Sequence, residues 1–141
     1  MIETIYGAIA QLILSSTYAR QYCGRVYRGY GDEEKITDIP CVIVNVTNGT
    51  SDDTWGTDGE VMDVEVIIRT KRENNANARS AMDAVMGVLD DQELYLPDAY
   101  TCSMQRSRFD GPRVRDASFE SRLTYELSTE RHTMYPVTRT A

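Results

Sequence analysis

The sequence predicts an α+β fold: a largely antiparallel sheet of four strands, or slightly more, covered on one face by two helices. Three observations lead there. Two stretches repeat apolar residues at helical spacing. Four others are β-branched or alternate polar with apolar. The order mixes the two kinds in a single run with no linker between them.

Ile2, Ile5, Tyr6, Ile9, Leu12 and Ile13 follow the i, i+3, i+4, i+7 spacing of one helix face, which predicts a first helix over about 2–18. "RVYRGYGDEEKITDIP" then reads as a strand-like piece and a loop, and Pro40 drives Ile39 toward the extended backbone that enters a strand. "CVIVNV", residues 41–46, is β-branched and apolar, as a buried strand is. "VMDVEVIIR" alternates, with Met62, Val64, Val66 and Ile68 on one side and Asp63, Glu65, Ile67 and Arg69 on the other. These two segments are expected to pair as an antiparallel hairpin. Ala78, Ala81, Met82, Val85, Met86 and Leu89 form a second helical stripe, opened by Asn74 or Asn75 as N-cap. "AYTCSMQRSRF" is a third strand with Tyr100, Cys102 and Met104 on one face, and "DGP" at 110–112 signals a turn. In "DASFESRLTYELSTE" Ala117, Phe119, Ser121, Leu123, Tyr125 and Leu127 alternate against polar neighbours, which places Phe119 in the core. The last residues, "RHTMYPVTRTA", have no period.

With 141 residues the chain is expected to be one domain, 1–130, followed by an extended arm, 131–141. A composition of 41% hydrophobic and 26% charged residues is that of a globular protein. The formal charge of −7 disfavours general nucleic-acid binding, because phosphates repel an acidic surface. Cys23, Cys41 and Cys102 are widely spaced and odd in number, so they read as reduced core thiols rather than a disulfide framework or a zinc site. The N-terminal stretch lacks a basic region and an apolar run of membrane length, and so reads as neither signal peptide nor anchor; the Asn-x-Thr triplets at Asn45 and Asn48 then carry no glycan.

Signals for catalysis are weak. His132 is the single histidine and stands in the aperiodic tail, far from any nucleophile–base arrangement. No phosphate-loop, dinucleotide or zinc-protease motif occurs. Asp52, Asp53, Asp58 and Glu60 crowd one loop, but their spacing fails the calcium-loop pattern, so a solvated acidic loop is the reading. No catalytic residue, cofactor or metal is expected.

Candidate contact residues are easier to name. The loop "TNGTSDDTWGTDGE" is about twice the length of an ordinary hairpin connection and holds the chain's one tryptophan, Trp55, among acids. It is either an anchor that orders on docking or an unstructured loop with a partly tucked ring, and the sequence leaves both open. The tail with Met134, Tyr135 and Pro136 either drapes over a neighbour or frays. Arg106 and Arg108, and Arg113 and Arg115, flank the "DGP" signal at a spacing of two, which projects each pair from one face. Phosphates or carboxylates could hold them. The acidic balance favours carboxylates such as Asp63 and Glu65, on a neighbouring strand or a neighbouring copy.

The succession of an N-terminal amphipathic helix, "RVY", "DIPCVIVNV", a long-loop hairpin, "NNANARSAMDAVMGVL" and "SMQRSRFDGPRVRDASFESRLTYELS" resembles the tail-terminator, or tail-completion, proteins of long-tailed bacteriophages. The likeness spans about residues 2–130 and lies in element order rather than an invariant motif. It implies a non-enzymatic α+β subunit of a homo-oligomeric ring, usually a hexamer, that caps the tail tube and joins it to the head–tail connector or stopper protein. It implies a place in the virion neck after assembly in the host cytoplasm, no membrane, and a lumen through which genome DNA passes without specific binding. Trp55, Asp52, Asp53, Asp58, Arg106, Arg108, Arg113, Arg115 and Tyr135 are then candidate interface residues. The alternatives are another neck component, such as a head-completion or stopper protein, and a small ligand-binding α+β domain.

Overall fold

The computed structural model describes residues 2–29, 39–48, 61–72, 75–96, 100–115 and 118–131. The elements run α1 (Ile2–Ser15), α2 (Thr17–Tyr22), β1 (Val26–Arg28), β2 (Cys41–Asn48), β3 (Val61–Lys71), α3 (Asn75–Leu89), β4 (Glu93–Leu96), β5 (Tyr100–Arg115) and β6 (Ser118–Arg131). Among the described residues the strands form one six-stranded sheet in the order β1-β2-β3-β6-β5-β4. Every neighbouring pair is antiparallel except β1 and β2.

The α+β class and the β2–β3 hairpin are as expected, with Val44 opposite Val66 and Cys41 opposite Arg69. Four strands become six. The strand-like piece at "RVY" joins the sheet as β1, and β4 is an addition: "ELYL" has four residues, too few for alternation to register in the sequence. The expected first helix is two. Ser16 adopts an extended backbone (φ −87°, ψ 117°), and its hydroxyl accepts a hydrogen bond from the Ala19 backbone N–H at 3.1 Å. It ends one helix and caps the next. The turn expected at 110–112 is absent. β5 continues through "DGP" to Arg115, and a register irregularity between Asp110 and Arg113 absorbs one extra residue as a bulge.

Alternation divides the sheet into two faces of different chemistry. On one, Val42 and Val44, then Met62, Val64, Val66 and Ile68, then Leu123, Tyr125 and Leu127 join the buried cluster that contains Ile5, Ile9 and Ile13 of α1 and Ala81, Val85 and Leu89 of α3. The expected stripe of α3 is the buried one, with Met86 partly covered. On the other face, among the described residues, Cys41, Ile43 and Ile67 form a small buried cluster with Tyr27 against it. Where β1 meets β2, a Cβ at Gly29 would run into the Asn45 amide, so glycine is needed there for close approach. Phe119 is only half-buried, because it lies near the far end of β6 between Thr70 and the exposed Val114.

The burial pattern predicts an ordering of core substitutions. Leu123→Ala, at a fully buried position, is expected to lower unfolding free energy by about 2–5 kcal/mol, and Phe119→Ala by less. Chemical denaturation of both variants checks the order, and a larger loss at Phe119 would contradict the face assignment.

Candidate protein-interaction surfaces

The helix-free face is organised by one carboxylate. Glu120 on β6 accepts hydrogen bonds from Arg69 Nε at 3.1 Å, Arg115 Nη1 at 2.6 Å and Arg122 Nε at 3.0 Å. Arg122 reaches on to Glu65 at 2.9 Å, so the network crosses β3, β6 and β5. The placement follows from register: Arg69, Glu120 and Arg113 stand in one cross-sheet row, and Ile67, Arg122 and Asp110 in the next. Burial works against the Glu120 charge, but the hydrogen bonds from Arg115, Arg69 and Arg122 outweigh it and hold the carboxyl below its ordinary range. Burial likewise opposes the Arg122 charge, and its bonds to Glu120 and Glu65 raise its pKa in spite of that.

A second polar cluster sits where α3 ends. Asp90 and Asp91 follow Leu89, so two acids stand at the negative end of a helix dipole, and Asp91 takes the left-handed backbone that closes many helices (φ 55°). Arg106 of β5 answers them with an ion pair to Asp90 at 3.4 Å. The buried Tyr125 hydroxyl donates to the same Asp90 carboxylate at 2.6 Å. Burial first, then this bond and the Asp90 charge, push the Tyr125 pKa upward, which keeps the phenol protonated. Arg106 also lies 5.1 Å from the centre of the Phe109 ring.

The four candidate arginines are placed unlike their sequence spacing suggests. Arg106 stands opposite Tyr125 and Arg108 opposite Thr124, with Ser107 taken up in a register shift. The bulge therefore sends Arg106 to the helix-bearing face and Arg108 to the other. Arg113 and Arg115 do share the helix-free face. Within the chain, carboxylates face three of them: Arg106 pairs with Asp90, Arg113 with Asp110 at 3.5 Å, and Arg115 with Glu120. Glu65 is held by Arg122 instead. Among the described residues Arg108 makes no ion pair, and it lines an open depression of about 380 Å³ with Arg106, Ser107 and Phe109. Trp55, Asp52, Asp53, Asp58, Tyr135 and His132 lie outside the described residues.

Other surface features were not legible in the sequence. Phe109 and Val114 on β5 are 54% and 55% exposed, Tyr95 on β4 is 78% exposed, and Tyr18 on α2 stacks edge-on with Tyr22 at 5.6 Å. A bulged strand loses the alternation that would have marked the first two. All three cysteines are buried and free, and burial pushes the Cys23 and Cys102 thiols up to about 12, Cys23 with help from Cys41. Among the described residues no group of histidine, cysteine or carboxylate side chains could hold a metal, and no helix is long and apolar enough to cross a membrane.

No protein-family model matches the chain, and no curated protein matches it. Solved structures do share its fold. One is a chain in the virion of a native gene transfer agent particle, with a TM-score of 0.67 and 18% identity over 92% of this chain and 96% of that one.

The Glu120 network carries a pH signature. A carboxylate whose folded-state pKa lies below its unfolded value contributes stability above the unfolded value, about 4.3, and loses it as pH falls through the folded value. Glu120→Gln is expected to cost about 2 kcal/mol at pH 7 and to flatten the decline in acid. Denaturation curves at pH 7 and across the acid range measure both, and an unchanged acid limb would remove Glu120 from that role.

Proposed function

We propose that the chain is a non-enzymatic virion subunit that forms a tail-terminator ring, capping the tail tube of a phage-like particle and joining it to the head–tail connector. The observation that carries this is the near end-to-end likeness of fold to a chain of a gene transfer agent virion, which agrees with the element order that suggested a terminator. The surface chemistry supports it. Most of the basic side chains on the sheet are engaged by carboxylates of the same chain, so a neighbouring genome would meet few uncommitted arginines and would slide past rather than bind. The polar depressions at Arg106–Phe109 and around Asp91–Gln105 are open to solvent, unlike the enclosed apolar cavity of a small-molecule site. In this reading the partners are further copies of the chain, the tube protein below and the connector or stopper protein above.

Light scattering and negative-stain imaging of the purified protein, alone and with tail tubes, test the class. Rings, or density at one end of each tube, are the expected outcome; a monomer that ignores tubes would sink the terminator reading. Trp55, with Asp52, Asp53 and Asp58 around it, is proposed as a docking anchor in that assembly, and Tyr135 as a second contact. Trp55→Ala is expected to leave thermal stability unchanged while reducing the fraction of capped tubes. Equal capping by the variant would take the loop out of the mechanism.

A further inference from the structure

We infer that the exposed edge of β5, Gln105–Phe109, receives the acidic stretch 49–60 of a second copy as an added strand. This deepens the ring reading above and rests on it.

The edge is accessible. β4 pairs with the first four residues of β5 alone, and the next, Met104, donates its N–H to the Gln92 carbonyl at 2.9 Å. The chain reaches β4 from the end of α3 through Asp90–Gln92, so no strand precedes β4 along this side. Gln105, Arg106, Ser107, Arg108 and Phe109 then stand as five exposed residues in a row. Peptide groups of a strand point alternately to its two sides, so those of Arg106 point the way Met104 points to Gln92. Such an edge offers acceptors as well as donors. A polypeptide answers both, whereas the phosphates of a nucleic acid only accept.

Side chains call for an acidic occupant. β5 carries four arginines to one acid, Asp110. Arg108 is exposed and, among the described residues, makes no ion pair; the Arg113 side chain is 76% exposed in its pair with Asp110. A second β5 edge does not fit, because two copies set antiparallel about Ser107 would bring each Arg106 opposite Arg108 of the other. Residues 49–60 hold Asp52, Asp53, Asp58 and Glu60 with no lysine or arginine, which is −4 of the chain's −7. Since Gln105–Phe109 stand exposed in the single chain, the stretch that covers them comes from another copy.

Alternation matches the stretch to the edge. Arg106 and Phe109 lie opposite Tyr125 and Leu123 on the helix-bearing side, and Arg108 lies opposite Thr124 on the other. Phe109 is 54% exposed, with the Arg106 guanidinium 5.1 Å from its ring centre. In an added strand Asp53 and Trp55 share one side, and Asp52 and Thr54 the other. Set with Trp55 on the side of Phe109, the strand also brings Asp53 to the side of Arg106 and Asp52 to that of Arg108, whichever way it runs. The connection between β2 and β3 can extend about 20 Å and return, enough to cross to a neighbour. Each copy gives one stretch and receives one, so the contact is heterologous and can close a ring.

The test mixes two singly substituted proteins, Thr54→Cys and Gln105→Cys, and treats them with a flexible bis-maleimide, which requires no exact register. The native thiols are buried, and a link between the two substitutions must join two copies. The expected result is far more covalent dimer in the mixture than either protein gives alone. Arg108→Glu added to the Gln105→Cys protein is expected to lower that yield about tenfold, and Asp52→Lys added to the Thr54→Cys protein to restore it. An unchanged thermal transition shows that the variants fold. A mixture that gives no more dimer than its components, or a yield indifferent to Arg108→Glu, overturns the contact. Light scattering of the same samples separates this from the ring reading. Rings without the mixed dimer leave the ring standing and remove the contact; mixed dimer without rings, alone or with tubes, does the reverse. Neither oligomer nor mixed dimer removes both.

Discussion

The structure depends on the two-sided pairing of β6. That strand is bonded along nearly its whole length to β3 on one side and β5 on the other, so its alternation is imposed on three strands at once. One face of it offers Leu123, Tyr125 and Leu127 to the helices, and the other offers Glu120 and Arg122 to the ion network. A slip of one residue in β6 would put the carboxylate under α3 and the leucines in water, and it would break the pairing with both neighbours. Register is therefore fixed jointly by apolar burial on one face and by ion pairing on the other, and each makes the other's errors expensive.

Against that fixed ladder, β5 is the strand that bends the rules. Its two irregularities shift side chains between faces, and the first of them, at Ser107, decides what Arg106 can do. Sent to the helix-bearing side, Arg106 meets Asp90 at the end of α3, where a cation is favoured by the dipole and two acids need neutralising. The Tyr125 hydroxyl on the same carboxylate ties that end of the helix to the middle of the sheet. The bulge at Ser107 thus couples the packing of α3 to the geometry of β5, where Phe109 and Val114 stand exposed.

The parts legible in the sequence are those set by long, regular periodicity. The helical stripes, the β2–β3 pairing and the alternation of β6 could be read because many residues repeat one simple rule. The parts that were not legible break the rule locally. Ser16 breaks the helix through its own side chain, which accepts the Ala19 N–H, and an apolar stripe that ends at Ile13 gives no sign of that break. Gly111 and Pro112 carry a turn signature, yet pairing of β5 with β6 on both sides of them outweighed local preference. The four arginines stand out as candidates, and three of them pair with carboxylates, but a spacing of two cannot reveal that a bulge separates Arg106 from Arg108. Glu120, the hub of the helix-free face, looks in the sequence like any polar residue of an alternating strand. Its role appears only when three arginines from three strands converge on it.

An acidic chain with basic strands would be a poor design if the arginines were free, because a passing nucleic acid would condense on them. Here Arg69, Arg106, Arg113, Arg115 and Arg122 each have a carboxylate within ion-pair distance. Such pairs in a partly buried network resist exchange for phosphates better than exposed ones, since releasing Glu120 would leave a half-desolvated carboxylate without its donors. A nucleic-acid binder built on the same scaffold would need the opposite arrangement, with its guanidinium groups uncommitted and the net charge reversed. The arginines therefore serve to hold the sheet and the end of α3 together through carboxylates of the same chain.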